Sequence, residues 1–111
     1  MSMGNSPTIR ILRTGNGKTI AHPSPALLRR GDTFVMKNWT EYPAEVSFAE
    51  APITPKATTI GPKPGQETFT VDANAPFEYY EYDITLLCTY GDRRVRQYVE
   101  GGSRPGVIID G

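Results

Sequence analysis

The sequence predicts an all-β domain, a two-sheet antiparallel Greek-key β-sandwich of about seven to nine strands. Three observations point there. Prolines spread from Pro7 to Pro105 each remove a backbone donor and fix φ, leaving room for a long helix only in Ala26–Tyr42 and Phe77–Arg104. Both gaps alternate with period two rather than 3.6. Turn signals built on Gly, Pro, Asn and Asp separate most of the short apolar segments.

The candidate strands follow in order. Thr8–Leu12 and Lys18–Ala21 flank Gly15-Asn16-Gly17, a hairpin turn signal. Across Gly31–Trp39, Phe34 and Met36 fall on one face, with Thr33, Val35 and Lys37 on the other. Shorter segments lie at Glu45–Ala49, Lys56–Ile60 and Gln66–Val71, the last entered through the turn Pro62-Lys63-Pro64-Gly65. The strongest alternation places Tyr80, Tyr82, Ile84, Leu86 and Cys88 on one face, with Tyr79, Glu81, Asp83, Thr85, Leu87 and Thr89 opposite. Tyr90-Gly91-Asp92 then folds this strand back against Arg93–Val99, and Val107–Asp110 forms the final strand. One domain over residues 1–111 is expected, with 1–7 as a flexible N-terminus and no internal repeat.

Composition removes several functional classes. Twelve Lys and Arg balance twelve Asp and Glu in 111 residues, so no bulk field attracts nucleic acid or anionic lipid. The longest uncharged stretch, Thr19–Leu28, carries His22, Pro23 and Pro25 and falls well short of the ~20 apolar residues that cross a bilayer. Met1–Pro7 lacks the basic end and apolar run of a secretory signal. A soluble chain without membrane insertion is therefore expected. Cysteine and histidine occur once each, which excludes an intrachain disulfide and any single-chain metal centre needing two of either.

With strands and turns placed, the order of landmarks from Leu28 to Asp110 resembles the cupredoxin family of small blue copper proteins and their copper-free relatives. Leu28-Arg-Arg-Gly-Asp-Thr-Phe-Val-Met-Lys-Asn38 is similar to that family's turn and strand ending in Asn. Tyr42-Pro-Ala-Glu-Val-Ser-Phe48 looks like its Pro-His-x-Val-x-Phe segment. Ile60–Val71 resembles its Pro-Gly…Thr-Phe stretch, Phe77–Asp83 its Tyr-x-Tyr-x-Cys strand, and Pro105–Asp110 its terminal strand. The departures matter as much. Ala44 stands where the first His ligand would be, the Cys position falls at or near Asp83, and no His follows it. A type 1 centre requires two imidazoles and one thiolate, usually with a weak axial ligand. This chain owns only His22, upstream of every ligand position, so no copper and no other cofactor is expected. The resemblance implies an extracytoplasmic or periplasmic setting, while the residues themselves leave the compartment open.

The remaining candidates have bland readings beside their functional ones. His22, in Ala21-His-Pro-Ser-Pro25, reads as a solvated loop histidine, and Cys88 as a buried, inert thiol. Gly15-Asn-Gly-Lys-Thr19 lacks the first glycine of a phosphate loop and reads as a turn. Asn38-Trp39-Thr40 matches a glycosylation sequon but reads as a strand end. Glu81 and Asp83 share a face that reads as the wet side of a sheet. Arg93, Arg94 and Arg96, with Arg104 nearby in sequence and Glu100 and Asp110 as neutralising neighbours, read as a charge-protected edge strand. The aromatic loop is the more informative feature. Trp39 and Tyr42, with Glu41 and Glu45, belong to the Asn38–Glu45 segment, which the resemblance places at the end of the sandwich, and rigid aromatic rings anchor many interfaces, with a Trp39 that caps the core as the structural alternative. The expected function is thus a non-enzymatic binding or interaction module, engaging a protein partner or a second copy of itself. The alternatives are a small carboxylate-dependent enzyme using Tyr79–Asp83 and an accessory subunit of an electron-transfer assembly.

Overall fold

The computed structural model describes residues 7–15, 17–98 and 104–110, which form twelve strands and no helix. In chain order these are β1 (Thr8–Arg13), β2 (Thr19–His22), β3 (Ala26–Arg29), β4 (Thr33–Asn38), β5 (Ala44–Ser47) and β6 (Ile53–Thr54). They continue with β7 (Ala57–Ile60), β8 (Gln66–Val71), β9 (Tyr79–Glu81), β10 (Asp83–Tyr90), β11 (Arg93–Tyr98) and β12 (Gly106–Asp110). The expected N-terminal segment lies, Pro7 apart, outside the described residues.

Two layers face each other. One is the five-stranded sheet β2-β1-β4-β8-β6, and the other combines β11-β10-β5-β7 with β3-β12-β9. Tyr82 alone separates β9 from β10, and its N–H donates to the Pro105 carbonyl at 3.0 Å. A single run of chain therefore belongs to both of the smaller sheets. The strand count exceeds the expected seven to nine because the run divides at Tyr82 and because β3 and the two-residue β6 carry too short a pattern to read.

Pairing is antiparallel except that β1 lies parallel to β4 and β3 parallel to β12. The antiparallel expectation is corrected at these two pairs. Parallel neighbours need a crossover, and here the chain passes from β2 in one layer to β3 in the other before returning as β4. At the other hairpin, Gly91 takes φ 62° as the first central residue between β10 and β11, the position where a type II′ turn demands glycine.

The alternating faces meet between the layers. Phe34, Met36 and Phe69 of the five-stranded sheet are fully buried, as are Phe48, Tyr82 and Leu86 opposite. Phe48 joins the layers, its ring centroid 6.0 Å from Phe34, 5.2 Å from Phe69 and 4.7 Å from Tyr82. Among the described residues the Tyr82 hydroxyl has no hydrogen-bond partner.

Burial, with a smaller contribution from Tyr79, holds the Tyr82 phenol above the ordinary tyrosine range. The unfolded chain therefore loses this proton first, so the stabilisation is complete below pH ~10 and declines as pH rises. Tyr82→Phe is expected to retain stability near pH 7, since the hydroxyl makes no bond, and to remove about 1.4 kcal/mol per pH unit of alkaline loss above pH 10. Urea unfolding at pH 7, 10 and 11 measures both effects. An equal alkaline loss in the two proteins would show that the phenol ionises in the folded chain.

Candidate functional site

β1 and β4 run side by side toward one end of the sandwich, where Ile11 pairs with Asn38. Asn38 is fully buried and organises that end. Its Nδ2 group donates to the Tyr42 carbonyl at 2.7 Å and the Gly61 carbonyl at 3.0 Å, with the Ile60 carbonyl at 3.3 Å. Its Oδ1 accepts from the Thr40 N–H at 2.9 Å and the Thr40 hydroxyl at 2.7 Å. Two loops distant in sequence are thereby fastened together. Lys63 N–H to the Thr40 carbonyl and Asn38 N–H to the Gly65 carbonyl, both 2.8 Å, close the same contact. Gly65 is required there because a Cβ would strike the Gly61 backbone. The sequon asparagine is thus internal, and a glycan on Nδ2 would displace these bonds.

This support holds an aromatic surface. Trp39 is 49% exposed, with the Arg10 guanidinium carbon 5.2 Å from its ring centroid. Tyr42 is half-buried between Arg13, 5.7 Å from its centroid, and the Tyr90 ring at 6.2 Å. Trp39, Glu41 and Tyr42 share a depression of about 320 Å³ with Arg13 and Lys63. Cations packed on such rings strengthen them as rigid platforms. Glu45 lies apart, on the outer face of β5, in an ion pair of 2.6 Å with Arg96. Arg10, Arg13, Lys63 and Tyr90 reach the site from other strands and loops, and no local pattern marks them. The Tyr90-Gly91-Asp92 hairpin signal is the only hint for Tyr90.

The other candidates separate. Glu81 and Asp83 are exposed and face Arg104, whose Nε and Nη2 fork onto Asp83 at 2.9 and 3.0 Å and whose Nη1 lies 3.4 Å from Glu81. Arg104 therefore belongs with these carboxylates rather than with the arginines of β11. Glu81 and Arg104 border a depression of about 440 Å³ shared with Glu50, Glu78, Tyr79 and Tyr80. Arg96 is met by Glu45, while Glu100 lies outside the described residues. Cys88 is buried on the inner face of β10, its Sγ 3.9 Å from Gln97 Oε1. A hydrogen bond to the Cys88 side chain raises the Tyr90 phenol above its ordinary value. His22 is exposed and registers with Arg10 on the outer face of the five-stranded layer. A sheet therefore stands between the imidazole and the thiol, and they form no nucleophilic pair.

The same geometry tests a copper site of the blue type. Ala44 is buried and pairs with Leu86 on β10 and Ile60 on β7, whereas Asp83 pairs with Ser47 at the far end of β5. Asp83 and Ala44, the positions that the resemblance assigns to a Cys and a His ligand, therefore lie at opposite ends of the β5–β10 pairing. The donor set does not fit a His2Cys centre, because one thiol faces the core and the one imidazole points out of the other layer. Among the described residues no three His, Cys, Asp or Glu side chains gather as a metal site.

Two facing layers, with β4 returned beside β1 and the terminal β12 beside β3, define a cupredoxin-like β-sandwich. The chain is similar in structure to amicyanin, in the reduced Cu(I) form at pH 4 of a point mutant, with a TM-score of 0.55 and 17% sequence identity. The superposition covers 99% of this chain and 86% of amicyanin. No protein-family model matches the sequence, and no curated protein sequence matches it. Among the described residues no helix is long and apolar enough to cross a membrane.

Proposed function

We propose that the chain is a single-domain, non-enzymatic binding module on a cupredoxin-like scaffold, without a type 1 copper site, that engages a protein partner through the Asn38–Glu45 loop. The observation that carries this reading is the contrast within that loop. Asn38 is completely buried and fully bonded, while the adjacent Trp39 is half-exposed. An ordered indole projecting from a rigid base loses little conformational entropy on binding, which is what an interface anchor needs. Tyr42 and Glu41 extend the surface beside it, while Glu45 is turned away toward Arg96.

Affinity capture from the source organism compares the native chain with the Trp39→Ala/Tyr42→Ala variant. The expected result is a specific partner that the variant loses by tenfold or more while its melting temperature stays within a few degrees. Undiminished capture would reject the loop. Copper(II) titration tests the scaffold separately, with no intense visible charge-transfer band and little rise in Tm expected, since ligand stabilisation follows mass action. A blue, stabilised monomer would overturn the ligand placement.

A further inference from the structure

We propose that the free edge of β11 is a strand-acceptor site for an extended acidic segment of another protein. β11 ends the sheet β11-β10-β5-β7, and among the described residues no strand pairs with its outer side. Tyr90 and Arg93 flank the two-residue turn, so they form a hydrogen-bonded pair, as do Cys88 with Val95 and Leu86 with Gln97. The pairs Thr89–Arg94 and Leu87–Arg96 alternate with these and exchange no backbone bonds. Consistent with this, the Leu87 N–H turns the other way and donates to the Pro43 carbonyl at 2.9 Å. The backbone N–H and C=O groups of Arg94 and Arg96 consequently point out from the sheet edge.

The side chains select what can pair there. Arg94 and Arg96 lie on the same outer face, beside a depression of about 460 Å³ whose floor includes Pro43 and Leu87. Arg93 is exposed at the turn, and Val95 is 43% exposed on the opposite face. Glu45 offsets Arg96, and neither Arg93 nor Arg94 is engaged in an ion pair among the described residues. Three arginines on one edge repel a second copy of the same edge. They favour a strand with Asp or Glu opposite Arg94 and Arg96 and a small apolar residue opposite Val95. Main-chain bonds then supply affinity and the alternate side chains supply specificity. This surface is independent of Trp39 and Tyr42 and goes beyond the loop reading.

The probe is an acetylated, amidated hexapeptide of alternating glutamate and valine, added to the isotopically labelled full chain and followed by amide hydrogen exchange. A lysine–valine peptide and a heparin fragment serve as comparisons. The expected result is at least tenfold slower exchange at the Arg94 and Arg96 amides, with little change at Val95, whose amide already bonds within the sheet. Arg94→Glu, an exposed substitution, is expected to weaken binding tenfold or more, as is raising salt from 50 to 300 mM. Trp39→Ala should leave peptide binding unchanged, so the edge and the loop succeed or fail separately. Absence of protection at Arg94 and Arg96, or equal binding by the lysine peptide, would overturn the proposal. Displacement by heparin without amide protection would reduce this edge to a general anion patch and also overturn strand pairing.

Discussion

Asn38→Asp is expected to lower stability by about 3–5 kcal/mol, although it exchanges a single nitrogen for oxygen. The amide donates toward a group of backbone carbonyls from Tyr42, Ile60 and Gly61. A carboxylate there removes both donors and places a negative charge against carbonyl acceptors at a fully buried position. At roughly 4–8 °C per kcal/mol for a domain of this size, Tm should fall on the order of 20 °C. The effect has a pH signature. Protonation restores one donor, so the introduced carboxyl binds its proton more tightly in the folded chain than in the unfolded one, and the deficit should shrink as pH falls toward ~4. Trp39 is the only tryptophan, so its fluorescence reports directly on the loop. A loss below about 1 kcal/mol, with unaltered fluorescence, would mean that Asn38 does not fasten the two loops.

Phe48→Ala should cost about 3–5 kcal/mol for a different reason, the loss of apolar contact plus the cavity left behind. Phe48 follows the last residue of β5 and is the ring that touches Phe34 and Phe69 in one layer and Tyr82 in the other. The site is enclosed on both sides by strands, so collapse into the void is limited. Denaturant unfolding followed by far-UV circular dichroism measures the change. A decrease under about 1.5 kcal/mol would show that the layers pack without this contact. Tyr82→Phe keeps the same ring stack and provides the conservative comparison.

Alternation made most strands legible because a buried face must repeat every second residue. Phe34 and Met36, and Tyr82, Ile84, Leu86 and Cys88, are buried as that period requires. The same logic fails for β3, where an exposed Leu27 sits between buried Ala26 and Leu28 beside two prolines, and hydropathy alone cannot distinguish the faces. The site was legible in part. Trp39, Glu41 and Tyr42 are neighbours in sequence and remain neighbours in space, whereas Glu45 turns to the outer face of β5. Its cations come from β1 and from the Pro62–Gly65 turn, segments with no local reason to meet Trp39.

Residue counts and periodicity determined the all-β class, the main strands and the shortage of imidazole and thiol donors, because these depend only on which side chains exist and how they alternate. Tertiary structure decided the parallel pairs, the register that sets Leu86 opposite Ala44 and Asp83 at the other end of β5, and the separation of His22 from Cys88 by a whole sheet. It also assigned Asn38 its role, since the carbonyls it binds lie 4 and 22 to 23 residues away. Long-range pairing is fixed by how two buried faces fit together, and no stretch of chain contains that information locally.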